Sequence, residues 1–263
     1  MNKKRAMSSQ KASEVKLKGH EDAREFAKLL GIGKEYKTDP QAKKDVIDSE
    51  GNSFSVKSGE KKWQIFLYGE KRFREDFTFQ SMDGLSEIFL KCINSFPESR
   101  DEYLRNKKLY KEKLKNPMRE LCEKLKEKRI LKGFIDKSIF NSGEVDYLVI
   151  KSDNNFHIFL NEEVVNLLSE KFSVENSKAK NKYQMDDQKV IFKYEGKTYG
   201  EIEMRNDSYI HYREIKFWLD KNKTFNLLKE DIKDKFRLNE RIYLYGKAIK
   251  KLKKIYKEGK DDF

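Results

Sequence analysis

The chain has 263 residues, 37% of them hydrophobic and 39% charged, with 18 Phe and 13 Tyr. That length allows one large domain or two small ones, and the aromatic mass can fill a core, which excludes disorder throughout. A net charge of +13 and a pI near 9.3 point to a partner dense in negative charge, although charge alone does not separate DNA, RNA and an anionic membrane surface.

Residues 1–18 read as a basic arm with no apolar stretch behind it, so not as a secretory signal. Gly19 then opens a predicted helix, HEDAREFAKLLG, in which Ala23, Phe26, Ala27 and Leu30 recur at helical spacing and Gly31 is the stop. Lys34 to Lys43 is a polar connector containing Pro40. Asp45–Asp48 has the length of a short strand, SEGN is a turn signal, and Phe54–Lys57 alternates as a second strand. A further turn leads to a third strand, Trp63–Tyr68, and the three are expected to form a β-meander. From Leu85 to about Leu131 the chain reads as helical, with Leu114, Met118, Leu121 and Leu125 as a core stripe and Pro117 starting a helix after Asn116. GEVDYLVIKSDNNFHIFLN reads as two strands about an Asp-Asn-Asn turn. A short helix over Glu162–Phe172 follows, then a loop over 173–189. Another hairpin follows about Glu195-Gly196, and the chain closes on a basic helix, GKAIKKLKKIYKEGK. Cys92 and Cys122, without CxxC spacing, make neither a zinc site nor a disulfide framework. No apolar run approaches the roughly 20 residues that span a bilayer, so a reducing cytoplasm is the expected compartment and no membrane partner is expected.

Cutting a phosphodiester requires a divalent metal held by carboxylates, a positive group on the phosphate, and something to position the attacking water. A β-hairpin supplies these economically, with one carboxylate on its first strand and an acidic residue and a lysine two apart on its second, where period-two alternation sets both on one face. Here Asp45 lies on the first strand, and Ser55 and Lys57 share a face of the second. A turn near Glu50-Gly51 sets Asp45 roughly opposite Lys57, and Gln64 opens the following strand. The bland reading is an ordinary surface hairpin, since such spacings recur by chance.

The segment KKDVID...NSFSVKSGEKKWQIFLYG resembles the active-site region of type II restriction endonucleases in the PD-(D/E)XK nuclease superfamily, several of which carry Ser-x-Lys in place of Glu-x-Lys and a downstream glutamine. GHEDAREFAKLLG resembles the helix preceding that hairpin, from which a glutamate often reaches the metal. GEVDYLVI and YGEIEMRNDSYIHYREIKFW resemble the C-terminal half of such an enzyme. The likeness covers about residues 19–220. It implies a magnesium-dependent, site-specific deoxyribonuclease of a restriction-modification system. It also implies double-stranded DNA as substrate, a homodimer matching a palindromic site and a cognate DNA methyltransferase. On this reading Asp45 is a metal ligand, Lys57 touches the scissile phosphate and water, Gln64 is an auxiliary contact, and Ser55 fills the position of the missing acidic residue. Glu21, with Glu25 as understudy, supplies the second metal carboxylate. A rival site is Asp187 with Glu201 and Glu203, a Glu-x-Glu pair in which Arg205 is a poor substitute for lysine; its bland reading is a solvated face or one that accepts from cytosine amino groups.

Sequence readout needs side chains at base edges. RNDSYIHYREIKFW concentrates Arg205, Asn206, Asp207, Ser208, Tyr209, His211, Tyr212 and Arg213 as a candidate recognition loop. Lys71, Arg72 and Arg74 of KRFRED, and Lys250, Lys251, Lys253 and Lys254 of the last helix, are read as phosphate contacts. The alternatives are a structure- or lesion-specific repair nuclease of the same superfamily, or a DNA-binding protein without catalysis, which Ser55 favours. The expected fold is α+β: a mixed central sheet flanked by helices, with a helical middle and a β-rich C-terminal region. Its expected segments are an arm at 1–18, a catalytic core at 19–100, helices at 101–132 and a recognition region at 133–263.

Overall fold

A computed structural model describes residues 9–32, 37–39, 43–59 and 61–257. The fold is mixed α+β, with two sheets. In chain order its elements are α1 (Ser9–Leu30), β1 (Lys37–Asp39), β2 (Lys44–Ile47), β3 (Ser53–Lys57), β4 (Lys62–Tyr68), α2 (Glu70–Glu75), α3 (Phe77–Gln80), α4 (Leu85–Asn94), α5 (Arg100–Arg105), α6 (Lys107–Lys126), α7 (Lys128–Phe140), β5 (Tyr147–Ser152), β6 (Asn155–Leu160), α8 (Asn161–Lys171), β7 (Ser173–Asn176), β8 (Lys189–Tyr194), β9 (Lys197–Met204), β10 (Ile215–Asp220), α9 (Lys221–Asp231), β11 (Lys235–Arg237), β12 (Ile242–Tyr245) and α10 (Lys247–Lys257). The chain divides into two compact units that interleave in sequence. One comprises Met7–Lys61, Ile139–Leu168 and Lys221–Phe263, and the other is built mainly from Lys62–Ser138 and Ser169–Asp220. The serial segments expected from the sequence are therefore not the compact bodies.

The first unit is a seven-stranded sheet in the order β1-β2-β3-β5-β6-β12-β11. The pairs β3–β5 and β6–β12 are parallel; the remaining pairs are antiparallel. One face packs against α1 and α10: Ala23, Phe26, Ala27 and Leu30 from α1 and Ala248 and Leu252 from α10 meet Val46, Phe54, Tyr147, Val149, Phe156 and Ile158. Phe54 stacks on Tyr147 at 5.0 Å and meets the edge of Phe26 at 5.3 Å. Each such fully buried side chain contributes about 1.5–3 kcal/mol. The helix α1 starts at Ser9, earlier than the expected Gly19, because SQKASEVKLK is rich in helix formers and one interior glycine costs only about 1 kcal/mol. The arm's first eight residues lie outside the described residues.

The second unit is an antiparallel five-stranded sheet, β4-β10-β9-β8-β7. Its core joins Phe66, Phe134, Phe192 and Phe217, with ring centroids 5.0–6.1 Å apart. Two sequence readings are corrected here. The segment 173–189 was expected as loop, but Ser173–Asn176 pairs with β8. Pro117 was expected to start a helix, yet it sits inside α6. Proline cannot donate to the carbonyl four residues back, and the hydroxyl of Ser95 donates to that Lys113 oxygen at 3.4 Å. Cys92 and Cys122 are buried and unpaired, and burial pushes the Cys122 thiol up to about 11.

Candidate active site on the β2–β3 hairpin

The hairpin is set by its turn. Asp48 accepts from the Asn52 backbone N–H at 2.7 Å and its side-chain amide at 2.8 Å, while its own N–H donates to the Asn52 carbonyl at 3.0 Å. Gly51 takes φ +86°, a left-handed conformation that favours glycine. This turn pairs Val46 with Phe54 and Ile47 with Ser53. Continuing that register sets Asp45 against Ser55, so Lys57 is diagonal to Asp45 and not directly opposite it as expected.

Three contacts converge on Asp45 Oδ2. The Val56 backbone N–H donates at 2.7 Å, the Ser55 hydroxyl lies at 3.4 Å, and Lys57 Nζ stands off at 3.9 Å. Ser55 is fully buried, whereas the side chains of Lys57 and Asp45 keep 23% and 36% of their exposure. The ion pair is thus long and wet, worth about 0–1 kcal/mol, and both groups remain open to solvent. Alternation puts Asp45, Ser55 and Lys57 on the sheet face opposite Val46 and Phe54. Beside the hairpin, Asp146 Oδ2 accepts from both the N–H and the hydroxyl of Ser53, at 2.8 and 2.7 Å. That clamp fixes β3 against the start of β5. Only an aspartate placed directly before the apolar run YLVI hinted at it in the sequence.

Within its unit the structure gathers Asp45, Ser55 and Lys57, and it does not bring Glu21 or Glu25 to them. Glu21 is exposed on α1, and α1 covers the Val46/Phe54 face, away from the Asp45 carboxyl. Glu25 is engaged elsewhere, with Lys151 Nζ at 2.5 Å and Arg241 at 2.6 Å. Burial raises its carboxyl pKa, but those two cations outweigh burial and hold it below the usual range. Gln64 lies on β4, which pairs with β10 in the other sheet. The expected meander does not form, because the free edge of β3 is taken by β5. Among the described residues no group of three or more His, Cys, Asp or Glu side chains is placed to hold a metal ion.

The rival pair is occupied. Lys189 Nζ bridges Glu201 at 2.7 Å and Glu203 at 2.8 Å, and Asp187 binds Arg119 at 2.6 Å. Burial lowers the Lys189 pKa, but Glu203 and Glu201 override it and leave it raised. No protein-family model matches the chain, and no curated protein or solved structure matches it.

The expected DNA contacts are mostly tied within their own unit. Arg72 binds Asp76 at 3.0 Å and Arg74 binds Glu70 at 2.6 Å. In the candidate recognition loop Arg205 pairs with Asp207 at 2.7 Å, and Ser208 accepts from the His211 N–H at 3.2 Å. The His211 ring meets Glu214 at 2.7 Å. The hydroxyls of Tyr209 and Tyr212 donate to Asp101 and to the Pro97 carbonyl at 2.6 and 2.8 Å, and Arg213 donates to Asn94 at 3.1 Å. Asn206 is half-buried, and the outermost side chains are Tyr209 and Ile210. No helix among the described residues is long and apolar enough to cross a membrane.

Proposed function

We propose that this chain is a magnesium-dependent endonuclease of double-stranded DNA, acting as the type II restriction enzymes of the PD-(D/E)XK superfamily act. The observation that carries the reading is the Asp45–Ser55–Lys57 cluster: a carboxylate and an ammonium 3.9 Å apart on adjacent strands, both partly exposed, with a buried hydroxyl donating to the carboxylate. The mixed sheet with α1 packed against it supports the core that the resemblance implies. A homodimer, a cognate methyltransferase and a cytoplasmic setting belong to the same proposal.

The oxygen donors here suit magnesium in a minimal way. Mg2+ commonly keeps several waters and takes one or two protein carboxylates together with substrate phosphates, and Asp45 offers one partly exposed carboxylate, while the Ser55 hydroxyl is buried and donates to it. Bound there, the ion would polarise a phosphoryl oxygen and ease deprotonation of water. Lys57 presents its ammonium to the phosphate, and its loose pairing with Asp45 costs little to exchange for that contact. The buried Ser55 hydroxyl and the Val56 N–H orient the Asp45 carboxylate, and the Asp146–Ser53 clamp keeps β3 from shifting register.

Ser55 also supports a second reading, a DNA-binding protein without catalysis, because it stands where a second ligating carboxylate is expected. One experiment separates the two: plasmid or phage DNA incubated with the purified protein and Mg2+, wild type beside Asp45→Ala and Lys57→Ala. Discrete fragments that both substitutions abolish, with DNA binding retained, establish the nuclease and its site. Binding without cleavage of any DNA by wild type favours the second reading.

A further inference from the structure

Helix α10 carries a cation row that the Asp45/Lys57 chemistry does not use. Its sequence, KAIKKLKKIYK, holds six lysines and no acidic residue in a chain of net charge +13. Lys247, Lys250, Lys251 and Lys254 are spaced i, i+3, i+4, i+7, so they share one face, and all four are exposed. The opposite face is spent: Ala248 and Leu252 are fully buried in the core with Ile242 and Leu244. Both ends are fastened. Glu163 Oε2 accepts from the Lys247 N–H at 2.9 Å, and its carboxylate fills the space a Cβ on Gly246 would need. Near the other end the Tyr256 hydroxyl donates to Asp48, the residue that builds the β2–β3 turn. Lys247 has Glu162 at 3.4 Å. Among the described residues no acidic side chain pairs with Lys250, Lys251 or Lys254.

A membrane-surface helix needs its apolar face free to enter lipid, and here that face is inside the protein. What remains is a rigid row of ammonium groups with a rise of about 10 Å over seven residues, suited to successive phosphates of a polyanion. We propose that the outer face of α10 is a sequence-independent anchor for the phosphate backbone of duplex DNA, fixed through Tyr256 to the hairpin that carries Asp45 and Lys57. The choice of DNA rests on the nuclease reading above.

The test is binding without Mg2+, so that it is independent of cleavage. Fluorescence anisotropy with a labelled 30-base-pair duplex of arbitrary sequence is followed against salt for wild type and for Lys250→Gln/Lys251→Gln/Lys254→Gln. A control, Lys107→Gln/Lys108→Gln/Lys132→Gln, removes the same charge from exposed lysines of the other unit, and thermal melts check that each variant folds. Each lost phosphate contact flattens log K against log salt by about 0.9, so the α10 variant is expected to show a slope shallower by about two to three, with the control unchanged. Equal slopes for wild type and the α10 variant, or the same flattening in the control, overturn the proposal. So does α10-dependent binding to phosphatidylserine vesicles with no α10 dependence on DNA. An α10-dependent slope in a protein that cuts nothing leaves the anchor standing and removes the nuclease.

Discussion

The hairpins β2–β3 and β8–β9 use the same grammar, alternating strands that set carboxylates and lysine on one face, and they arrive at opposite states. On β8–β9 a single ammonium, Lys189, is shared by two carboxylates at 2.7 and 2.8 Å. The charges are spent on each other. On β2–β3 the Asp45 carboxylate is held by the Val56 backbone N–H at 2.7 Å, and Lys57 stays 3.9 Å away. There the backbone N–H, not the lysine, makes the short bond to the acid, and Lys57 is left loosely paired. An acid and a base on one face are therefore a weak sign of chemistry by themselves; the sign lies in which partner neutralises the acid.

The largest expected effect tests that distinction directly. Asp45→Ala or Lys57→Ala should lower the cleavage rate by about a hundred- to a thousandfold, in line with the loss of a charge-stabilising group. Glu201→Gln with Glu203→Gln should leave it within a few-fold. Cleavage that survives at Asp45→Ala and dies at Glu201→Gln would reverse the assignment. Next in size is the frame of the open hairpin. Phe54→Ala removes a fully buried ring between Phe26 and Tyr147, at a cost of roughly 3–5 kcal/mol, read by urea unfolding. Smaller again is Lys189→Met, which leaves Glu201 and Glu203 side by side with only the longer Lys216 contact, at 3.9 Å to Glu203. A buried pair broken this way costs about 3–5 kcal/mol, and the partial exposure of Lys189 discounts that to roughly 1–3 kcal/mol. A neutral result at Lys189 would mean that the β8–β9 cluster is solvated and as available as the first.

Much of this frame was legible in the chain. The apolar spacing of Ala23, Phe26, Ala27 and Leu30 gave the buried stripe of α1, and SEGN gave the turn, because both signals are local. The partner of β3 was not legible. YLVI and WQIFLY are equally good strands, and nothing short-range says that the β3 edge takes β5 from some 90 residues on while β4 joins another sheet. The site inherited that error. Gln64 looked adjacent to Lys57 only through a meander that does not form, and Glu21 looked able to reach Asp45 only while the faces of the sheet were unassigned. The density of donors from Arg205 to Arg213 suggested a loop waiting for bases, but the side chains of Asp101 and Asn94 and the carbonyl of Pro97 come from distant sequence and already engage it.

The smallest effect probes how the open face of the seven-stranded sheet becomes closed. In the row from Lys57, Ile150 is the neighbour on β5 and His157 the next on β6. Lys57 is partly exposed, while His157 is buried, stacked on Tyr243 at 5.4 Å and bonded through Nδ1 to the Tyr245 hydroxyl at 2.9 Å. Burial, aided by Lys229 and Lys235, pushes its pKa down to about 4. The folded state therefore binds a proton less readily than the unfolded chain, whose histidine titrates near 6.5. Stability from this group is complete above about pH 6.5 and is lost as the pH falls toward 4, amounting to about 1.4 kcal/mol by pH 5.5. Denaturant melts at pH 7.5 and 5.5 should show that loss in wild type and a smaller one in His157→Gln, which keeps a hydrogen-bonding partner for Tyr245 but does not titrate. Equal losses would mean that water reaches His157, so that the wet environment of Lys57 extends across the row and its partial exposure no longer marks it out.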